Sequence, residues 1–167
     1  MKELERQIRE EIKQCQYNVC CMSLAVKTYR KYDTIYNWAV ALSSFGSVTA
    51  WMIDADSAMI DAIVIAISQL FYAIKPLFAF SKHVHTLNKH CYTEELLLGE
   101  LLELWDSVKR KNVEKTRAID SLHSLQKRIN ENEFFDDDDN FEYSKKLLEE
   151  ARKQAAEILT ERYKISQ

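Results

Sequence analysis

Apolar residues recur at intervals of three and four positions through the first thirty residues, and charged residues fill most of the positions between them. The recurring positions are Leu4, Ile8, Ile12, Cys15, Val19, Met22 and Val26. This spacing matches the 3.6-residue repeat of an α-helix and places these side chains on one stripe. The pattern predicts an amphipathic helix over residues 2–32 that buries one face against a partner.

Two long stretches with few charges follow this helix. Residues 34–53 contain no Asp, Glu, Lys or Arg, and residues 58–80 contain only Asp61 and Lys75. About twenty largely apolar residues are enough to cross a bilayer core as a helix, and residues 54–57 leave room only for a tight antiparallel turn. The pattern predicts a two-helix transmembrane hairpin; a buried hairpin in a soluble protein is the alternative.

The charges around the two stretches predict their orientation. Lys27, Arg30 and Lys31 precede the first stretch, and Lys75, Lys82 and Lys89 lie at or beyond the end of the second, whereas the turn carries only acidic charges. Basic residues collect on the cytoplasmic side of membrane helices. We therefore expect both termini in the cytosol.

The remainder of the chain is charged, with helical periodicity. A heptad-like stripe comprises Val84, Leu87, Cys91, Leu98, Leu101, Trp105 and Val108, and further apolar positions recur at 119–129 and 147–159. The last helix is expected from about residue 141, capped by Asp139 or Asn140. The chain has only two Gly and one Pro, which favours long helices over a many-stranded sheet.

These elements predict an all-α membrane protein with a transmembrane hairpin and a cytosolic helical bundle, assembled as a homo-oligomer. The expected parts are an amphipathic helix at 1–33, the hairpin at 34–80 and a cytosolic helical region at 81–167. Two helices cannot enclose a pore alone, so a channel would require several copies.

Polar residues in the predicted spans are candidates for a water-filled path, because exposing them to lipid is costly. Four of them follow one face of the second span at spacings of seven, four and three. The predicted pore-lining residues are Asp61, Ser68, Gln69, Tyr72, Lys75, Asn37 and Ser44. In the alternative interpretation, Asp61 lies at headgroup depth and the other groups bond between helices.

A basic segment further along the chain is the candidate ligand site. It comprises Lys109, Arg110, Lys111, Lys115 and Arg117, and it would hold a phosphate-bearing ligand. A solvated helix face explains the same charges. His83, His85, His90 and Cys91 match no metal spacing, and no catalytic motif is present. We expect a non-enzymatic protein without metal or cofactor.

The order of these parts resembles the SLATT family of bacterial conflict systems. The residues that carry the resemblance are 29–36 before the first span, the turn at 53–57, the end of the second span at 75–82, and the charged helices up to Tyr163. It covers nearly the whole chain as a layout, without a signature motif, so no functional residue is carried over.

The resemblance implies a pore-forming effector of antiphage defence in the bacterial inner membrane. Such an effector would be gated by a nucleotide or oligonucleotide that a partner enzyme makes or senses. Its expected partners are therefore membrane lipid, copies of itself and that signal. The alternative is a non-conducting membrane anchor that recruits a partner through its cytosolic helical bundle.

Overall fold

The computed structural model describes residues 1–50, 66, 69–70, 80–133 and 143–163. The helices in these ranges are α1 (Lys2–Ala50), α2 (Phe80–Lys109), α3 (Lys115–Glu133) and α4 (Lys145–Glu161). The predicted all-α class is confirmed for the described residues. The chain divides into two compact units. The first comprises Met1–Val26 with His85–Gln167, and the second comprises Lys27–Val84.

Helix α1 is longer than its amphipathic pattern predicts. The sequence suggested a first helix ending near residue 32, but α1 continues to Ala50. Residues 27–37 contain neither Gly nor Pro, so nothing in them interrupts the backbone hydrogen bonds. The Thr34 hydroxyl donates to the Arg30 carbonyl at 2.9 Å, one turn earlier. The expected helix boundary was therefore wrong.

The two predicted membrane spans lie largely outside the part of the chain with described side chains. The backbone of the first span is helical up to Ala50, and three positions of the second span (66, 69 and 70) are helical. Among the described residues, no helix combines the length and the sustained apolarity that a bilayer crossing requires. The transmembrane hairpin therefore stays a prediction.

The first unit is organised around the apolar stripe of α1. Every position of that stripe is buried, as the periodicity predicted. Its N-terminal part packs in one hydrophobic core with buried residues of α2, α3 and α4, among them Leu101, Leu122 and Leu159. Fully burying one such side chain contributes about 1.5–3 kcal/mol, so this shared core accounts for the association of the helices.

The connection between α2 and α3 is a tight reversal. The N–H of Lys111 donates to the Val108 carbonyl at 3.1 Å, and the N–H of Asn112 donates to the Ser107 carbonyl at 3.0 Å. These two bonds form a Schellman motif, whose turning residue adopts a left-handed conformation. That residue is Lys111, with φ of 57°, a conformation that a side chain with a Cβ disfavours.

Lys111→Gly is expected to stabilise the protein by about 0.5–1 kcal/mol, because glycine adopts positive φ without strain. Urea unfolding followed by circular dichroism measures the change. Lys127→Gly, an exposed position inside α3, is the matched control and should cost about 1 kcal/mol. Equal effects at the two positions would contradict the conformational argument.

The start of α4 also differs from the sequence prediction. Ser144 is the N-cap residue, and its hydroxyl accepts a hydrogen bond from the Leu147 N–H at 3.3 Å. The expected start near residue 141 and the proposed caps Asp139 and Asn140 were wrong. A serine satisfies an N-terminal N–H as well as an aspartate does, so local composition alone left the cap undecided.

Candidate ligand site

The structure describes few of the predicted pore-lining residues. Asn37 and Gln69 are helical and exposed, and the amide of Asn37 donates to the Asp33 carboxylate at 3.1 Å. Ser44 lies on α1, but its side chain is outside the described residues. The remaining predicted positions, Asp61, Ser68, Tyr72 and Lys75, also lie outside them. The pore lining therefore stays a prediction.

The predicted basic segment spans the end of α2, the turn and the first turn of α3. All five of its cationic residues are exposed. Arg110 pairs with Asp106 at 2.9 Å, and the Lys109 ammonium lies 5.0 Å from the centre of the Trp105 ring. Lys115 and Arg117 lie in the first turn of α3, which contains no acidic residue. The N-terminus of a helix favours anions, and no acidic side chain in that turn occupies the position. Ligand binding here stays a prediction.

A carboxyl group that the sequence analysis passed over lies in the core of the first unit. Glu94 is 1% exposed and is the buried acidic residue among the described positions. A signal for it was present: the stripe of α2 steps from Cys91 to Leu98, and Glu94 occupies the core position between them. Acidic side chains are almost never fully buried unless they are paired. The buried Glu94 carboxyl therefore marks a candidate ligand-binding site.

The groups that contact Glu94 come from α1. The Cys15 thiol donates to Oε2 of Glu94 at 2.9 Å, and the Asn18 amide donates to Oε1 at 3.5 Å. Cys15 also lies 3.4 Å from the Glu94 backbone carbonyl. In the described part of the chain, no Lys, Arg or His forms an ion pair with this carboxyl. A thiol is a weak donor, so the carboxyl keeps unused acceptor capacity.

Glu94 lines a cavity of about 300 Å³ in the first unit. Asn18 and Asn132 add amide groups to the lining, and Tyr17 and Tyr143 add aromatic rings. Asn132 is oriented by His90, whose Nδ1 lies 3.0 Å from the amide oxygen. A mostly apolar wall with a few convergent polar groups is typical of small-molecule sites.

Two of the cysteines in this region have a raised pKa. All four cysteines are free. Burial raises the pKa of Cys21, and burial with the nearby carboxylates of Glu95 and Glu94 and the thiol of Cys20 raises the pKa of Cys91 to about 11. Burial and a hydrogen bond with Cys21 raise the pKa of the Tyr17 hydroxyl. Reactive thiolates need a lowered pKa, so these groups favour packing and hydrogen bonding over nucleophilic chemistry.

The raised pKa of Cys91 predicts alkaline destabilisation. Between pH 9 and 11 the unfolded thiol loses a proton that the folded thiol retains, so the free energy of unfolding falls as the pH rises. We expect Cys91 to account for a loss of about 1 kcal/mol by pH 10.5, allowing for solvent screening at this partly buried group. Urea unfolding at pH 8 and pH 10.5 should show a smaller loss for Cys91→Ala. Identical losses would contradict the assignment.

No group of three or more His, Cys, Asp or Glu residues within the described ranges is arranged to hold a metal ion. His83 instead lies against Tyr29, with ring centroids 5.8 Å apart. Comparisons with family models, with curated proteins and with solved structures find no match to this chain.

Proposed function

We propose that this protein is an oligomeric, pore-forming membrane effector of bacterial antiphage defence, gated by a nucleotide or oligonucleotide through its cytosolic helices. The observation that supports membrane insertion is an exposed apolar surface on α1. Tyr32, Ile35 and Trp38 are each more than half exposed, directly where the uncharged stretch 34–53 begins. Aromatic rings at such a position suit a membrane interface.

The gating part rests on features of the first unit and on the continuity of α1. The first unit carries both the exposed basic segment and the Glu94 cavity. Helix α1 supplies Cys15 and Asn18 to the Glu94 site and continues without a break to Ala50. A ligand that binds one state of the bundle more tightly shifts the population toward that state. In this proposal, such a shift within the first unit controls the span.

The experiment that tests the pore is ion flux through liposomes that contain the purified protein, with and without nucleotides. We expect ligand-dependent flux, which Asp61→Asn and Tyr72→Ala should alter if these residues line the path. Asp120→Asn, at an exposed position of α3, is the matched control and should leave the flux unchanged. Absence of flux from a correctly inserted oligomer would refute pore formation.

The phosphate role of the basic segment has its own test. Lys111→Glu with Arg117→Glu reverses two of its five charges and should abolish binding of a phosphate probe that carries no base, inorganic pyrophosphate. Lys145→Glu with Lys146→Glu makes the same charge change at exposed positions of α4 and should leave binding intact. Isothermal titration calorimetry measures both. Wild-type affinity in the first variant would remove the basic segment from the ligand site.

The second candidate function is a non-conducting membrane anchor that recruits a partner. Tyr92 and Leu96 favour it, because these large side chains lie one turn apart on α2 and are at least half exposed. Aromatic side chains are enriched where proteins dock. An anchor predicts no flux under any condition. It also predicts loss of partner recruitment in Tyr92→Ser with Leu96→Ser.

A further inference from the structure

Glu94 occupies a core position that an apolar side chain would fill without penalty. Burying a carboxyl requires compensation by hydrogen bonds or by a cation. Its observed compensation is one thiol at 2.9 Å and one amide at 3.5 Å. A carboxylate offers about four lone-pair sites over its two oxygens. The oxygens of Glu94 can therefore accept further hydrogen bonds from a molecule in the adjoining cavity.

The chemistry of the cavity restricts what that molecule is. The carboxyl accepts hydrogen bonds, and Tyr17 and Tyr143 contribute aromatic side chains to the lining. The Asn18 amide already bonds Gln14 and Glu94, and the Asn132 amide already bonds His90, so these two amides belong to the fixed wall of the cavity. A ligand that fits is planar, stacks on aromatic rings and presents neighbouring N–H donors. Proteins commonly bind unpaired bases by this combination of aromatic stacking and hydrogen bonds to the base edge.

We propose that the Glu94 cavity binds a guanine base, with the carboxyl oxygens accepting from its imino and amino N–H groups. Among the four RNA bases, guanine places an imino N–H directly beside an amino group, the pair that matches the two oxygens of one carboxyl. The inference rests on the proposed function in one respect, since it names the base of the signalling nucleotide.

The cavity is separate from the basic segment. Asn132 in the cavity and Arg117 in the basic segment lie fifteen residues apart on α3, which is about 22 Å along the helix. A mononucleotide is too short to occupy both places. The base in the cavity therefore binds independently of those cations, and a nucleoside without phosphate is a sufficient probe.

The test is calorimetric titration of the purified full chain in detergent with guanosine and with inosine. Inosine keeps the imino N–H and lacks the amino group. We expect guanosine to bind and inosine to bind at least about tenfold more weakly, since one hydrogen bond to a buried carboxyl is lost. Equal affinities, or no guanosine binding by the wild-type protein, would overturn the proposal. Binding of L-arginine without guanosine would overturn it as well.

The variant Glu94→Gln provides a second test of guanosine binding. Its amide replaces one acceptor oxygen with an N–H donor, which opposes the N–H groups of guanine. We expect a loss of guanosine affinity of at least about 100-fold, with the helical circular dichroism signal retained. Glu95→Gln, the same change at the exposed neighbouring position, should bind guanosine as the wild-type protein does. Full guanosine affinity in Glu94→Gln would overturn the proposal. The comparison of guanosine with inosine tests the same proposal on the wild-type protein, so it does not depend on the folding of a variant.

The result is distinguishable from the outcome of the flux experiment. Guanosine binding without ion flux would support the Glu94 site and refute the pore. Flux gated by a nucleotide, together with no guanosine binding, would refute the Glu94 site and leave the pore standing. The two measurements use the same purified chain and share no readout.

Discussion

Two arginines in the middle of the uncharged stretch are expected to prevent membrane insertion. Leu42→Arg with Phe45→Arg places two charges near the centre of the predicted first span, residues 34–53. Each arginine at a helix centre costs about 3 kcal/mol and each lost apolar residue adds a few tenths, so the total is about 6–7 kcal/mol. The favourable free energy of inserting a span of moderate hydropathy is too small to offset that cost.

Carbonate extraction of membranes from expressing cells measures this effect. The wild-type protein should stay in the membrane pellet and the double-arginine variant should leave it. Gln7→Arg with Ser124→Arg adds the same two charges at exposed positions of the first unit and should behave as the wild-type protein does. A double-arginine variant that stays in the pellet would rule out residues 34–53 as a span.

Leu101→Ala is the second large effect, with an expected destabilisation of about 3–4 kcal/mol. Leu101 is fully buried in the core that all four helices of the first unit share. Truncation removes the transfer free energy of the side chain and leaves a cavity that the packed helices cannot close. Most single domains have only about 5–15 kcal/mol of stability, so this loss would populate unfolded protein under mild denaturant.

Urea unfolding followed at the helical circular dichroism signal measures the loss at Leu101. Leu96→Ala removes the same atoms from a half-exposed position of the same helix and is expected to change stability by less than about 0.5 kcal/mol. Similar losses at the two positions would show that the core is not packed as described.

The periodicity of the sequence predicted the helical elements and the faces they bury. Every stripe residue from Leu4 to Val26 is buried, because a 3.6-residue repeat determines the inward face of a helix whatever partner covers it. The exposure of the basic segment between Lys109 and Arg117 was also predictable from its residue types, since charged side chains are rarely buried. Helix class, buried faces and exposed charges are thus local properties that the chain carries by itself.

Only the tertiary structure decided the Glu94 site. A glutamate is ordinarily an exposed residue, and its burial depends on Cys15 and Asn18, which lie more than seventy positions away in the chain. The left-handed Lys111 and the Ser144 cap were likewise outcomes of how helices must turn to pack. Local pattern specifies what each segment can form, whereas a buried polar site exists only once distant segments meet and exclude water.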